Sequence, residues 1–339
     1  MRTRVMKFGI TLLADDLGTL SERARLAEQI GYDYIGVADS QSLFRELYVS
    51  LTVVSQVTSR ARIGTAVTNP LTRHPAVTSS AIASIDELSQ GRAFLGIGSG
   101  DSAVLNLDLR PARLAQVKEY VQAVRTHLTG ESYSYQGRDT HVRWANSSVP
   151  ILMAAEGPRT LKLAGEIADA VLVHTGLTPE ILESSIAMIR EGEAEAGKPE
   201  GSVEIWAFAK CNVADERDEA IQEIKMALAA SGHHAFRYTL EGKHVPEELH
   251  ESVAVLQREY QPTEHEQIGH TRNAVLSDEL GLTGFLADRF AVVGTPEQCK
   301  EKVAAIAKAG VDVLLATAIG PQPEVIIERF GREVAALSG

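Results

Sequence analysis

Apolar and polar positions recur along the chain in one unit: an amphipathic helical stretch, then Gly and Asp, then a short continuous apolar run. Leu26-Ala27-Glu28-Gln29-Ile30-Gly31-Tyr32-Asp33 leads into Tyr34-Ile35-Gly36-Val37-Ala38, and Ala307-Lys308-Ala309-Gly310-Val311-Asp312 leads into Val313-Leu314-Leu315-Ala316. A looser copy runs Ala164-Gly165-Glu166-Ile167-Ala168-Asp169 into Ala170-Val171-Leu172-Val173. In the first two copies the Gly suits a helix C-terminus in the left-handed region, and the apolar runs read as strands buried on both faces.

The same patterning predicts strands over 7–12, 62–67, 93–98, 151–154 and 203–213, with helices over 19–30, 76–88, 112–128, 159–167, 179–196, 216–230 and 296–309. Alternation of strand and helix from end to end implies a parallel sheet, and about eight strands close a TIM (β/α)8 barrel. A doubly wound sheet is the alternative. It is disfavoured because no division into two halves is visible and because unusual residues gather at most strand ends. One stretch breaks the rhythm, 231–290, which is polar and carries His233, His234, His244, His250, His265 and His270. It reads as an insertion before the last strand-helix units of a single domain over 1–339, of the kind that forms lids or oligomer contacts.

Composition narrows the function classes. The 339 residues are 44% hydrophobic and 23% charged, with 45 acidic against 33 basic side chains and a formal charge of -12. That balance repels phosphate backbones and anionic membrane surfaces, so no nucleic acid or membrane partner is expected. Cys211 and Cys299 form no CxxC or metal-type spacing, which argues against a disulfide framework and a structural zinc site and fits a cytoplasmic protein. The apolar stretch from Phe8 to Ala14 is broken by Asp15-Asp16, too short for a secretory or membrane segment.

In a barrel, chemistry gathers at the C-terminal ends of the strands. Gly96-Ile97-Gly98-Ser99-Gly100-Asp101 lacks the third glycine of a dinucleotide fingerprint. Its glycines suit close approach of backbone to a flat ligand with amides turned to an anion, or else a ligand-free turn. Glu156-Gly157-Pro158-Arg159-Thr160 follows a strand and opens a helix, where free amides, the helix dipole and the Thr160 hydroxyl fit a phosphate; plain helix capping explains the same residues. Asp39 is read as a ring-positioning group, a general base or a helix N-cap, and His74, before Pro75, as a chemical group or a helix-entry residue. No HxH or HExxH spacing exists, so no metal is assigned.

These residues resemble the bacterial-luciferase-like superfamily of flavin- and deazaflavin-dependent oxidoreductases, and within it the methylenetetrahydromethanopterin reductase branch. The motifs that carry the resemblance are Gly64-Thr65-Ala66-Val67-Thr68-Asn69-Pro70, Leu88-Ser89-Gln90-Gly91-Arg92, the 96–101 and 157–161 runs, 164–169, and Val293-Gly294-Thr295-Pro296. The resemblance implies a TIM-like barrel with an insertion, usually dimeric, and a flavin or deazaflavin ring at the strand ends. It also implies a non-proline cis peptide at Ala66-Val67 under the ring. Cofactor contacts are thus expected from Ala66, Val67, Thr68, Asn69, Gly98, Ser99, Gly100, Glu156, Gly157, Pro158, Arg159, Thr160 and His174.

Departures from the family pattern shape the expected activity. Ser40 and Gln41 stand where luciferases carry a His pair, and Gly98 where they carry a cysteine, which argues against light emission. Thr11 and Ser40 stand where methanopterin reductases carry Glu and His. The expectation is an oxidoreductase acting on a small organic substrate with reduced FMN and O2, with coenzyme F420 hydride transfer as the alternative and an inactive flavin-binding barrel as the third reading. Asp39, His74 and Asp101 are the catalytic candidates, Thr11, Ser40 and Gln41 the substrate contacts. A separate flavin reductase and a homodimer are the expected partners.

Overall fold

Each recurring Asp ties its own strand to a neighbour in the barrel. Asp33 Oδ2 accepts from Phe8 N at 2.9 Å, Asp169 Oδ2 from Ile151 N at 2.8 Å and Asp312 Oδ2 from Ile205 N at 2.9 Å. A strand start that faces solvent would otherwise leave its amide unpaired, so the repeat has a structural reason. Gly31, at φ 108°, supplies the left-handed turn that returns the first helix toward the next strand.

The computed structural model describes residues 5–237, 239–265, 267–269 and 271–337. His270 and the chain ends 1–4 and 338–339 lie outside the described residues. The strands are β1 (Lys7–Leu12), β2 (Tyr34–Val37), β3 (Arg62–Thr65), β4 (Ala93–Ile97), a small hairpin of β5 (Tyr133–Tyr135) and β6 (Arg138–Thr140), then β7 (Ile151–Ala155), β8 (Ala170–Val173), β9 (Glu204–Val213), β10 (Ala291–Gly294) and β11 (Val313–Ala318). Parallel pairing runs β1-β2-β3-β4-β7-β8-β9-β11 and returns from β11 to β1, so eight strands close a TIM barrel. β10 is an addition that the sequence pattern did not suggest. It pairs with 210–213 of β9 on the edge that β8 leaves after 207.

The surrounding helices are α1 (Leu17–Ile30), α2 (Leu47–Val57), α3 (Pro75–Leu88), the short α4 (Ser102–Leu105), α5 (Leu114–Leu128), α6 (Pro158–Ile167), α7 (Pro179–Glu195), α8 (Arg217–Ala235), α9 (His250–Glu259), α10 (Arg272–Glu279), α11 (Thr283–Phe290), α12 (Pro296–Lys308) and α13 (Pro323–Arg329). The expected helices are all present within a few residues. α2 was not anticipated, because its nearly continuous apolar run lacks a clear helical stripe.

α8 runs unbroken to Ala235, across the start of the stretch 231–290. α9, α10 and α11 then pack on α8 around a second apolar core that includes Ile224, Leu228, Leu256, Leu276, Leu286 and Phe290. Inside the barrel, Tyr34, Phe94, Leu152, Trp206, Val313 and Leu315 fill the lower half, with the Tyr34 and Trp206 rings 4.4 Å apart. Large side chains thus plug the N-terminal end, and small ones leave the C-terminal end open. Among the described residues no helix is long and apolar enough to cross a membrane.

Candidate active site

A cavity of about 1100 Å3 opens over the C-terminal ends of the barrel strands. β3 ends at Thr65, two residues before the expected boundary, and the Ala66-Val67 peptide just beyond it is cis, as the resemblance implies. Backbone pairing resumes at once: Thr68 N donates to Gly96 O at 2.9 Å and Gly98 N to Thr68 O at 2.8 Å. The bulge therefore pushes Ala66 and Val67 to the cavity wall without detaching the strand. Gly98 keeps the adjoining gap open, since a β-carbon there would stand 3.2 Å from Val67 Cγ2. Asn69 builds the turn that follows, its Oδ1 accepting from Leu71 N and Thr72 N at 2.9 and 3.0 Å.

Beside this wall two backbone features converge. Ser99 and Gly100 line the cavity, and Gly100 has φ 106°. Next to them, after the adjoining β7, α6 starts after Gly157, which has no side chain to cap the helix and where a β-carbon would stand 4.0 Å from Thr160 Oγ1. Arg159 and Thr160, in the first turn of α6 where backbone amides have no partner within the helix, line this end of the cavity, with Pro158 at a first-turn position where it lacks nothing. A helix start left without a side-chain cap and set beside a glycine loop could receive an anion, and the two are called the cradle below.

The third part of the site is a cluster of charges. His174, at the end of β8, donates from Nδ1 to Glu156 Oε1 at 2.7 Å, and His234 of α8 donates from Nε2 to the same oxygen at 2.9 Å. Asp101 Oδ2 lies 3.3 Å from His234 Nδ1, and its Oδ1 accepts from Arg237 Nη1 at 2.8 Å. Burial and the Arg237 guanidinium, whose Nη2 is 2.6 Å from Nδ1, oppose a charge on His234. Glu156 and Asp101 outweigh them and push this imidazole up to about 9. Burial raises both carboxyls, but the facing histidines outweigh it and hold Asp101 and Glu156 well below the usual carboxylate range. Burial lowers His174, whose Nε2 has no hydrogen-bond partner.

The sequence candidates separate clearly. Thr11, Asp39, Ser40, Asp101 and all the expected cofactor contacts line the one cavity, although they come from six strand ends. His74 does not. Its Nδ1 accepts from Ala76 N at 3.2 Å as the N-cap of α3, and its exposed ring packs on Tyr135, so the helix-entry reading holds and the catalytic one is corrected. Gln41 is also outside the cavity lining; it is exposed and donates to Ala103 O at 2.7 Å. Asp39 is neither an N-cap nor an open base. Its Oδ2 accepts from Arg73 Nη1 and from Thr68 Oγ1, both at 2.6 Å, while Glu46 caps α2. Ser40 Oγ accepts from Ser102 Oγ at 2.9 Å.

Lys210, Thr317, Ser231, His234, Arg237 and Lys243 also line the cavity and were missed. The His pair 233-234 stood in a polar insertion with no marker tying it to Glu156; only the course of α8 does so. Its partner His233 instead stacks on the Tyr260 ring at 4.1 Å. The expectation of no metal rested on spacing, yet Glu156, His174 and His234 bring three ligand-type atoms within 4.8 Å of one another. Arg237 against His234, with Lys210 and Lys243 on the same walls, makes the surroundings of this group basic.

Comparison with known proteins agrees with this geometry. The profile described as luciferase-like monooxygenase matches residues 6–313. The chain is 31% identical to the 5,10-methylenetetrahydromethanopterin reductase of Archaeoglobus fulgidus, over 97% of this chain and 98% of that protein. The solved coenzyme F420-dependent tetrahydromethanopterin reductase from Methanopyrus kandleri superposes with a TM-score of 0.76 at 27% identity, covering 98% of this chain and 99% of that one. The monooxygenase RslO1 from Streptomyces bottropensis shares the fold, with a TM-score of 0.68 at 18% identity and coverage of 98% and 99%.

Proposed function

The chain belongs to the luciferase-like monooxygenase family, and from that premise we propose that it is an oxidoreductase that transfers hydride between coenzyme F420 and a small organic molecule. The observation that carries the reading is the pairing of a flat wall at Ala66, Val67 and Gly98 with the anion cradle of Ser99, Gly100, Gly157 and Thr160 in one cavity. A tricyclic ring fits the wall and a phosphate the cradle, as FMN and F420 both require. From the sequence, FMN with O2 comes before F420; the likeness to the solved coenzyme F420-dependent tetrahydromethanopterin reductase, at 27% identity over 98% of this chain, supports putting F420 first.

When bound, the deazaflavin supplies or accepts the hydride. The residues of the chain orient, exclude water and hold protons. Ala66, Val67 and Gly98 would back the ring, and the start of α6 with Thr160 would hold the phosphate. Asp39 acts through others: it pins Arg73 and Thr68, and so keeps the cis bulge in place. Burial favours the neutral form of His174, whose Nδ1 faces Glu156 and whose Nε2 has no partner and would be free to face a ligand. The test is a titration of the purified protein with F420 and, separately, with FMN, followed by absorbance and fluorescence. Saturable F420 binding with weak or absent FMN binding is expected; tight FMN binding without F420 binding returns the reading to the monooxygenase, and no binding of either rejects both.

A further inference from the structure

The rim of the barrel has two halves. β3, β4 and β7 are consecutive neighbours and carry the wall and the cradle. β9, β11 and β1 are consecutive on the far side. There Thr11 is in register with Thr317, and Thr317 with Lys210, and all three line the cavity. α8 closes over this half, with Met226 and Ala227 packed against Leu13 and Ile319. One helical turn on, Ala230 and Ser231 reach the cavity.

Thr11, Thr317 and Ser231 are 2%, 1% and 1% exposed, and none of their hydroxyls has a hydrogen-bond partner. Among the described residues, four of the ten buried side-chain polar atoms without a partner belong to this cavity, the fourth being His174 Nε2. Such a group destabilises a fold, and Val or Ala would fill nearly the same space without the penalty. Hydroxyls gathered on one wall in that state are what a ligand-binding surface shows before its ligand arrives. A turn of about 120° about χ1 exchanges hydroxyl and methyl of a threonine within the same volume, so both can address the cavity. Lys210 Nζ lies on the same wall, 4.8 Å from the Phe208 ring centroid.

We infer that this half of the rim is the substrate subsite and that it takes the carboxylate of a small organic acid. An ionised carboxylate accepts about four hydrogen bonds and donates none. Three hydroxyls and one basic nitrogen match that number, and the lysine matches the charge. Leu13, Phe44 and Phe208 line the same cavity and receive an apolar body. The inference rests on the cofactor occupying the other half.

The test uses pairs of a carboxylate and its primary amide, from acetate through octanoate with benzoate and phenylacetate. Each is titrated by calorimetry into the full chain, with and without saturating F420 or FMN. At least one carboxylate should bind tenfold or more tightly than its amide. Thr11→Val with Thr317→Val, and separately Lys210→Met, should abolish that preference while cofactor affinity changes less than twofold. The threonine variants should also melt at or above the temperature of the parent, because they remove unpaired buried hydroxyls. Equal binding of every carboxylate and its amide overturns the inference, as does a preference that survives both variants. If neither cofactor binds but the preference is found and lost as described, the cofactor reading fails and the subsite stands.

Discussion

Asp39 gives the sharpest test of the site, because a general base and a structural anchor respond oppositely to the same substitution. Its side chain is 1% exposed and that of Arg73 14%, with Nη1 and Oδ2 2.6 Å apart. Two unit charges about 4 Å apart attract by about 4 kcal/mol at an effective dielectric near 20. Arg73 also binds Glu46 at 2.7 Å, and Glu46 is 47% exposed, so this second contact contributes little but still neutralises the guanidinium when Asp39 is lost. Asp39→Asn should therefore cost ~1–2 kcal/mol, and Arg73→Met, which strands a buried carboxylate, ~3–5 kcal/mol. The double-mutant cycle should return a coupling of ~1.5–3 kcal/mol. Urea unfolding followed by circular dichroism measures all four proteins, the midpoint shifting at constant slope. A coupling below ~0.5 kcal/mol would refute the anchor argument. So would Asp39→Asn with full stability and turnover reduced tenfold, the signature of a base.

Thr160→Val removes one donor from the cradle at equal size, so F420 affinity should fall by ~0.5–1.5 kcal/mol in calorimetry; an unchanged constant removes Thr160 from the site. Gly100→Ala places a β-carbon 2.5 Å from Val104 Cγ2 at φ 106° and should lower stability by ~1–3 kcal/mol, with a matching drop in melting temperature. The pH dependence follows from the charge cluster. His234 is raised from 6.5 to about 9, so its contribution is complete below about 6.5 and is lost as pH rises through about 9; Asp101 and Glu156 are lowered, so theirs holds above the ordinary carboxylate range and is lost in acid. Hydrogen exchange at the end of α8, corrected for intrinsic rates, should accelerate between pH 6.5 and 9, and a flat profile would contradict the assignment.

Much of the barrel is legible in the sequence, because its determinants are local. Helix amphipathicity, the left-handed Gly31 and Gly310, and the aspartates Asp33, Asp169 and Asp312 before three of the apolar runs act within about ten residues, and they mark strands and helices to within a few positions. The uncapped helix start is legible for the same reason: Gly157, Pro158 and Thr160 are neighbours at a strand-to-helix junction. Three things follow only from tertiary structure. β10 exists because β9 is long enough to offer a free edge beyond the end of β8, a property of two strands together. Which of the readings open for Asp39 and His74 applies depends on what folds beside them: Arg73 arrives at Asp39, and His74 is left at the surface on a helix end. His234, Ser231, Lys210 and Thr317 carry no motif at all, and share a cavity with Glu156 and Thr11 because barrel closure and the course of α8 bring distant segments of the chain together. Local sequence patterns determine the strands, the helices and the cradle, while long-range packing decides which polar groups meet, since that depends on barrel register and helix direction.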